Sequence, residues 1–585
     1  MRKTLLAASI AANLLLTACG GNSTSGSGTP TAPVTTTSLS GTAAAGAPLV
    51  GTVTVKDHLG ATRQVQIEAD GGYTIDVSGM TGPFVLQANG TVGGRSYRVH
   101  SAATEADIGN TINVTPLTDL IVANMAGEIA ANYFDRGDFA GLSTAELDSQ
   151  AELLRQRLGA ILTGVGLDAS IDLLRASFAA DHTGLDAALD LLRVEVDPAT
   201  AIATITSIID GQQITDDLAA ADTSTLTVLG DVSAGVDALT AITATLDTLT
   251  GLLATSLPAA DNPTLTGLFT SGFLHSGQDL NAFLSELTTD SDAIGLRFDT
   301  VSLVALDTTA GTAEIVVNLG DGSGWVDPFP DHFQMLRDDA TGIWKLHGDR
   351  SMVDLEVIVL AEKQTTVYVN GGTTTYSTRS GFEFWIEDGH ADGIDIDAAV
   401  VTGPGLPADG ILLTGSVGGP LEVTNGCADP SGTRCFLGNA DIAQIAANDE
   451  YTIELYATSV STDTPRATYT RRILAAPYLT TALPEFPAIT SPTTSDLPGL
   501  LAGGNITMTW TMPSGMRTDE VTFAWQDSND DYMRVDEGFW GADSPTSATL
   551  AVPAPTASLR YGWNYVFAKD GMNRDFLRSH TIVFP

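Results

Sequence analysis

The sequence predicts a multidomain α+β protein, with an N-terminal β-sandwich, a helical domain, a mixed α+β unit and two C-terminal β-sandwiches. The length of 585 residues corresponds to about four domains. Short runs that alternate with period 2 occur near both ends of the chain, and runs with period 3.6 lie between them. The composition, 43% hydrophobic and 17% charged with 59 glycines, is typical of sandwiches with many turns and of Ala-rich helices rather than of disorder.

Residues 1–18 have the pattern of an export signal. Arg2 and Lys3 precede an apolar run over 5–16, which is too short to cross a bilayer as a stable helix. The run ends in Leu-Thr-Ala-Cys at 16–19, which resembles the lipobox of bacterial lipoproteins. The resemblance implies cleavage before Cys19 and lipid attachment to it. Since no Asp follows Cys19, it also implies the outer membrane of a Gram-negative bacterium. The alternative is an ordinary secretory signal with a chance cysteine.

Residues 19–38 predict a flexible tether. They are almost all Gly, Ser, Thr, Pro, Asn and Ala, so they cannot bury enough apolar surface to offset their ordering entropy. The expected partner of the chain is the membrane itself, to which the lipid on Cys19 would attach it. Several acyl chains hold a protein on a membrane far more firmly than one.

The charge of the chain excludes one class of partner. A formal net charge of −43 repels nucleic acid and anionic lipid. We therefore expect no nucleic-acid partner.

The other two cysteines, Cys427 and Cys435, predict a structural disulfide around a turn. The loop is short, so the chain-entropy model gives a stabilisation of about 2.5 kcal/mol. Seven intervening residues, with no further cysteine ligands nearby, exclude a CxxC redox or zinc site.

Residues 39–113 predict a small β-sandwich, with strands near 53–56, 64–67, 73–77 and 84–88 separated by Gly-rich turns. The order Pro-Leu-Val-Gly at 48–51, then Asp-Gly-Gly-Tyr at 70–73, resembles the carboxypeptidase-regulatory-like domain. That family is an accessory domain, so the resemblance implies no catalytic residues.

Residues 114–260 predict a helical domain. Thr115 is placed to cap a helix that has Pro116 at its first position. Apolar spacing of period 3.6 continues over 144–162, with a short β interlude near 194–208. The sequence 186–192 resembles a helix that recurs beside regulatory-like domains in bacterial lipoproteins.

Residues 261–361 predict an α+β unit in which helices precede four or five strands. The sequence Trp-Lys-Leu-His-Gly-Asp at 344–349 resembles a strand of the NTF2-like family, which implies a cone-like unit. Some members of that family catalyse reactions in the pocket of the cone, where His347 and Asp349 would be the residues to examine.

Residues 362–480 and 485–585 predict two β-sandwiches, separated by the Pro-rich stretch 484–498. Short strands with regular turns and a buried-looking Trp510 or Trp525 resemble immunoglobulin- or fibronectin-III-like domains.

Acidic loops are the candidate metal sites. Oxygen-rich loops of this kind hold Ca²⁺ at extracellular levels. One candidate combines Asp388, Asp392, Asp395 and Asp397 with His390. A second has D-x-N-x-D spacing at Asp527, Asn529 and Asp531, but lacks the Gly and Glu that a helix–loop–helix calcium site needs. Asp-rich loops are also common in any acidic exported protein, so no cofactor is predicted and Ca²⁺ is the one possibility.

The sequence favours binding over catalysis. It has no nucleophile elbow, zinc-protease or nucleotide-binding motif. The leading hypothesis is a lipid-anchored binding or scaffold protein that presents sandwich loops to a protein or glycan. The alternatives are an enzyme acting in the cone and a structural spacer of the envelope. Aromatic residues beside acidic loops are the candidate contacts, although core packing is the expected role of most of them: Trp385, Trp525, Tyr532 and Trp540.

Overall fold

The computed structural model describes residues 37–220, 225–226, 232–323, 326–369, 374–388, 396–415, 419–457, 464–500, 503–541 and 544–584. Strands predominate over helices in this part of the chain. Residues 1–36, which include the predicted export signal, Cys19 and nearly all of the predicted tether, lie outside the described residues, so the expectations about them stay predictions.

The N-terminal module is a β-sandwich. Strands β1 and β4 pair with each other, and a second sheet has the order β3-β2-β5-β6. Val53, Phe84 and Leu86 pack between the sheets with less than 1% of each residue exposed. The hydroxyl of Tyr73 donates to the carbonyl of Ile112 at 2.5 Å. The strands are β1 (Ser38–Thr42), β2 (Val50–Asp57), β3 (Thr62–Gln66), β4 (Gly72–Asp76), β5 (Phe84–Val92) and β6 (Arg95–Ala103).

Helices and one small sheet follow. Thr115 caps the first helix by accepting a hydrogen bond from the N–H of Thr118 at 3.2 Å, as the sequence predicts. A three-stranded meander occupies the expected β interlude. The elements are α1 (Pro116–Ala126), α2 (Ala130–Arg136), α3 (Thr144–Arg157), α4 (Gly159–Gly164), α5 (Gly184–Asp190), β7 (Leu192–Asp197), β8 (Ile202–Ser207), β9 (Gln213–Asp217) and α6 (Val232–Leu253).

Helix α6 is long and apolar enough to cross a membrane by length and composition. In this structure it packs against a sheet instead. The hydroxyl of Thr245 donates to the carbonyl of Trp344 at 2.8 Å, and that of Thr250 accepts from the N–H of Phe298 at 3.0 Å. Its apolar face, including Ile242 and Leu246, is buried. We therefore interpret α6 as a core helix.

The α+β unit has the antiparallel strand order β12-β13-β14-β15. Its core continues without a break into that of the preceding helices, so the boundary expected at 260 does not separate two cores. The elements are α7 (Pro263–Gly267), β10 (Leu274–His275), β11 (Gln278–Asp279), α8 (Leu280–Leu287), β12 (Arg297–Asp307), β13 (Thr312–Gly320), β14 (Val326–Arg337) and β15 (Trp344–Gly348).

The C-terminal half is built on one eight-stranded sheet of order β21-β22-β17-β16-β31-β30-β27-β28. A five-stranded sheet, β20-β19-β18-β23-β24, packs on one half of it, and a three-stranded sheet, β25-β26-β29, packs on the other. The elements are β16 (Val353–Tyr368), β17 (Thr375–Asp388), β18 (Ala398–Thr402), β19 (Ile411–Thr414), β20 (Glu422–Asn425), β21 (Asp429–Ser431), β22 (Arg434–Phe436), α9 (Asn439–Ile442), β23 (Glu450–Tyr456), β24 (Ala467–Arg472), β25 (Ala488–Ser491), α10 (Leu497–Leu500), β26 (Gly504–Thr511), β27 (Met516–Asp527), β28 (Tyr532–Gly538), β29 (Ser547–Val552), β30 (Leu559–Asp570) and β31 (Arg574–Val583).

This arrangement differs from the expected pair of separate C-terminal sandwiches. Strand β16 pairs in parallel with β31, from Val359 opposite Arg574 to Tyr368 opposite Val583. The expected 361/362 boundary falls inside β16, and the two regions expected at 362–480 and 485–585 share one sheet. The sequence near each strand does not indicate such long-range parallel pairing. Alternation of apolar and polar residues shows which side of a strand is buried, but not which strand pairs with it.

Candidate functional site

Cys427 and Cys435 form a disulfide, with their Cα atoms 5.7 Å apart. Cys435 lies on β22 and is buried, and its strand pairs with β17 at Phe382. The bond therefore fastens a loop to the edge of the eight-stranded sheet, where a structural role is expected.

The first acidic loop is only partly covered by the structure. Asp392, Asp395 and His390 lie outside the described residues. The carboxylate of Asp388, at the end of β17, accepts a hydrogen bond from the N–H of Ile396 at 3.0 Å. Asp397 is exposed. The calcium hypothesis for this loop therefore stays a prediction.

In the second acidic loop, Asp527 organises a turn. Its residue is less than 1% exposed, and its carboxylate accepts from the N–H groups of Asn529 at 2.9 Å, Asp531 at 3.2 Å and Ala557 at 3.0 Å. The hydroxyl of Thr556 donates to it as well, at 3.1 Å. These protein donors favour a structural role over calcium binding.

Three of the four predicted aromatic contacts are packed. Trp525 is 4% exposed and its indole N–H donates to the carbonyl of Pro553 at 2.8 Å. Trp385 is buried, and Trp540 is half-buried with its indole N–H 3.2 Å from a carboxylate oxygen of Asp327. Tyr532 alone is open to solvent, with 59% of the residue exposed.

Tyr532 belongs to a cluster of three rings on the outer face of the eight-stranded sheet. The ring of Trp563 lies 6.1 Å from that of Tyr532 and 5.6 Å from that of Tyr561, measured between centroids. The last two rings are nearly parallel, at 20°. Tyr561 is 38% exposed and Trp563 is half-buried. We call these three residues the aromatic platform.

Strand register positions the platform. Gln526 on the middle strand β27 lies opposite both Tyr532 on β28 and Tyr561 on β30. Residues directly opposite in a sheet point to the same face, so the Gln526 side chain is on the face that carries the two rings. In the neighbouring row, Ala524 lies opposite Trp563 on β30 and Arg534 on β28. The register therefore places the nearly parallel rings of Tyr561 and Trp563 beside the ring of Tyr532, which is tilted by 58° to that of Trp563.

Sequence reasoning found Tyr532 and missed its two partners. Tyr561-Gly562-Trp563 has the period-2 spacing that places two aromatic side chains on one face of a strand. That spacing was the available signal, but it does not reveal which face is open.

A second candidate site is a cavity of about 150 Å³ between the α+β unit and the C-terminal sheets. Side chains of α8, β12 and β14 line it from one side, and those of β16 and β24 from the other. Its charged and titratable groups are His275, Glu286, Asp331, His332, Asp349, Asp354, Glu356, Arg471 and Arg472.

Burial shifts the proton equilibria in this cavity. Burial, followed by the charges of Asp327 and Asp349, raises the pKa of Asp331 to about 7. Burial and the neighbouring Glu356 raise the pKa of Asp354 to about 7. Burial and the charge of Arg471 lower the pKa of His332 to about 4. Near neutral pH the carboxyl groups of Asp331 and Asp354 are thus partly protonated, and the imidazole of His332 is neutral.

Of the two residues that the sequence singled out in the cone, only Asp349 lines this cavity. Its carboxylate accepts from the N–H groups of Ser276 at 3.0 Å and Ser351 at 2.8 Å, and lies 3.5 Å from the guanidinium of Arg471. His347 is outside the lining, and its Nδ1 is 2.7 Å from the hydroxyl of Thr270. The composition of the cavity was not predictable, because β24 comes from a different region of the chain.

A larger cavity of about 370 Å³ adjoins the first and shares Arg471, Arg472 and His332 with it. Arg95 and Arg193 also line it. Three of these arginines have carboxylate partners: Arg95 is 3.0 Å from Glu195, Arg472 contacts Glu450, and Arg471 faces Asp349. Most of the positive charge in this cavity is therefore already paired.

No protein-family model matches the chain, and no curated protein matches it. Among solved structures, a tetra-tandem repeat from the extending region of a large adhesion protein is 9% identical, with 94% of this chain and 99% of that chain covered and a TM-score of 0.13. A Ca²⁺-stabilised adhesin of an Antarctic bacterium that binds ice is 11% identical, covers 94% and 98% of the two chains and has a TM-score of 0.13. A bacterial ice-binding adhesin of 1.5 MDa is 12% identical over 47% of this chain and 92% of that chain, also with a TM-score of 0.13. With a TM-score of 0.13 in each case, these similarities establish neither a shared fold nor a role.

Proposed function

We propose that this chain is an exported binding protein, anchored to the outer membrane by a lipid on Cys19, which binds a glycan through the aromatic platform. The observation that carries the proposal is the contiguous cluster of Tyr532, Trp563 and Tyr561 on the outer face of a rigid sheet. Aromatic rings bury the apolar faces of sugar rings while neighbouring amides and hydroxyls bond to sugar hydroxyls.

The size of the platform favours a glycan over a protein partner. A stable protein interface buries about 800 Å² on each side. Three rings with centroids 5.6 and 6.1 Å apart cover much less than this. They match the length of a few linked sugar rings.

The test is a binding assay against soluble and insoluble polysaccharides with the full chain and with Trp563→Ala and Tyr561→Ala variants. Each variant should weaken binding at least tenfold, or about 1.4 kcal/mol. Tyr376→Ala is the matched control, because Tyr376 is 78% exposed on β17 of the same sheet and lies outside the platform. Equal loss in the control, or unchanged binding in both platform variants, would refute the proposal.

Anchoring is tested separately. Cys19→Ala should release the protein from the membrane fraction while its folded modules keep their thermal stability, because the lipid is the expected attachment. Retention of the variant in the outer membrane would point to a different attachment.

The second candidate function is catalysis in the smaller cavity. The observation in its favour is that burial raises the pKa of both Asp331 and Asp354 to about 7, which suits a group that gives or takes a proton at neutral pH. If a glycan bound by this chain is also cleaved, Asp331→Asn and Asp354→Asn should abolish cleavage and leave binding to the platform unchanged. The sequence itself predicts no hydrolytic turnover.

A further inference from the structure

Three side chains meet at helix α5, at one end of the larger cavity described above. His182 lies two residues before the helix, and Asp186 and Asp190 lie one turn apart on it, in the i, i+4 relation that places two side chains on one face. One imidazole nitrogen and one oxygen from each carboxylate all lie within 4.8 Å of one another.

The two carboxylates are buried and incompletely bonded. Asp186 is less than 1% exposed and Asp190 is 5% exposed. One oxygen of Asp186 accepts from the N–H of His182 at 2.8 Å, and one oxygen of Asp190 lies 2.9 Å from Nδ1 of His182. The Oδ1 atom of each has no hydrogen-bond partner among the described residues. Since a buried carboxylate oxygen without a partner is costly, this pair calls for a counter-charge.

The surrounding backbone is adapted to this arrangement. His182 has a φ of 62°, which is uncommon for a residue other than glycine and is often found at functional sites. Gly46 of the N-terminal sandwich has a φ of 84°, and a Cβ atom there would lie 2.7 Å from Oδ1 of Asp190. A loop of the sandwich thus forms one wall of the cluster, and only glycine allows it to approach so closely.

An access route to the cluster exists. Asp190 is among the residues that line the larger cavity. The side chain of His182 is 16% exposed, whereas that of Asp190 is 1% exposed. A small ion can therefore reach a cluster whose carboxylates are shielded from bulk water.

We propose that His182, Asp186 and Asp190 bind a divalent transition-metal ion, with Zn²⁺ or Mn²⁺ as the expected occupant. An imidazole nitrogen with two carboxylates is a ligand set that suits these ions. Ca²⁺ instead takes six to eight oxygen ligands, which this cluster does not offer. Three protein ligands leave at least one coordination position for water or for a ligand in the larger cavity.

The competing explanation is a simple ion pair between His182 and Asp190, with Asp186 protonated. Burial does raise the pKa of Asp186 to about 6 and that of Asp190 to about 7. The ion pair, however, accounts for one oxygen of Asp190 and leaves the Oδ1 atoms of both residues without partners. A bound metal ion would place a positive charge beside both carboxylates.

The experiment is a titration of the full chain, stripped with EDTA, with ZnCl₂, MnCl₂ and CaCl₂ in separate runs. We expect one equivalent of Zn²⁺ or Mn²⁺ to bind and to raise the thermal midpoint, and Ca²⁺ to bind at least tenfold more weakly. Asp186→Asn and Asp190→Asn should each reduce affinity at least tenfold, while Asp168→Asn, an exposed carboxylate outside the cluster, should not.

Two further measurements keep the proposal falsifiable if a variant folds poorly. X-ray absorption of the Zn²⁺-loaded full chain should show one imidazole and oxygen ligands. In the metal-free state, Asp186→Asn should be at least as stable as the unmodified chain, because it removes a buried carboxylate. The proposal would be overturned in favour of the ion pair if neither Zn²⁺ nor Mn²⁺ bound stoichiometrically. It would also be overturned if both Asn variants bound the metal as tightly as the unmodified chain.

Discussion

The two faces of the eight-stranded sheet use the same residue type in opposite ways. Trp525 on β27 lies opposite Gly562, and Trp563 on β30 lies opposite Ala524. Successive residues of a strand point to opposite faces, so this difference of one position places the two indoles on different sides. Trp525 packs in the core beneath the three-stranded sheet, and Trp563 forms the centre of the aromatic platform. The position of each tryptophan in the strand register decides which face of the sheet it is on, and therefore which tryptophan is available to a ligand.

The largest loss of stability is expected from a substitution on the inner face of the sheet. Trp525→Ala should lower the free energy of unfolding by about 4 kcal/mol, because it leaves a large cavity and an unpaired carbonyl at Pro553. Urea unfolding followed by far-ultraviolet circular dichroism would measure this. At a temperature where the variant is folded, it should still bind glycan. A loss of unfolding free energy smaller than that caused by Trp563→Ala would contradict the assignment of the two faces.

The Cys427–Cys435 disulfide lies at the far edge of the same sheet, and its removal should have the next largest effect. Replacing Cys427 and Cys435 together by Ser should lower stability by about 2.5 kcal/mol in the chain-entropy model. Since β21 and β22 are at the opposite edge from β28, glycan binding should not change. Non-reducing intact mass with thiol labelling would establish that the unmodified protein has no free thiol at these positions. Two free thiols there would remove the basis of this prediction.

A smaller effect is expected from Asp354, at the end of β16 away from the platform. Its folded pKa of about 7 lies above the unfolded value of about 3.9, so the folded state binds the proton more tightly. Its contribution to stability is present at low pH and is lost as pH rises through about 7. Asp354→Asn should flatten this dependence and raise stability at pH 8 on the order of 1 kcal/mol, allowing for partial exposure. Asp339→Asn, an exposed carboxylate with 89% of its side chain accessible, is the control, and equal flattening there would count against the cavity.

The smallest stability effect is expected on the outer face. Trp563→Ala should change the free energy of unfolding by less than about 1 kcal/mol, because the ring lies on the open side of the sheet and its strand keeps both neighbours. Chemical denaturation beside the binding assay would check this. A large loss of stability together with loss of binding would indicate that the ring is structural.

Local patterns predicted the elements well and the assembly poorly. The strands β2 to β5 lie close to their expected positions, because alternation and turn residues are local signals. The cap at Thr115 and the Cys427–Cys435 bond are also present as expected. The burial of Trp525 agrees with its interpretation as a sandwich-core residue, and Tyr532 is the candidate contact that is exposed.

The sites that depend on distant pairing were not predictable. The platform requires the register between β27, β28 and β30, and the smaller cavity requires Arg471 of β24 to meet Asp349. The cluster at α5 was hidden for a different reason. His182, Asp186 and Asp190 are separated by three residues each in a sequence with 70 acidic residues, so their spacing attracts no attention until burial is known.

The parallel pairing of β16 with β31 has a consequence for how the chain folds as it is made. Strand β16 is synthesised long before β31, and until β31 is present one edge of β16 has unpaired N–H and C=O groups. Such an edge readily pairs with strands of other chains. The C-terminal half should therefore depend on chaperones that shield this edge until β31 is made, and a product cut before residue 574 should aggregate or be degraded rather than accumulate as a shortened folded module.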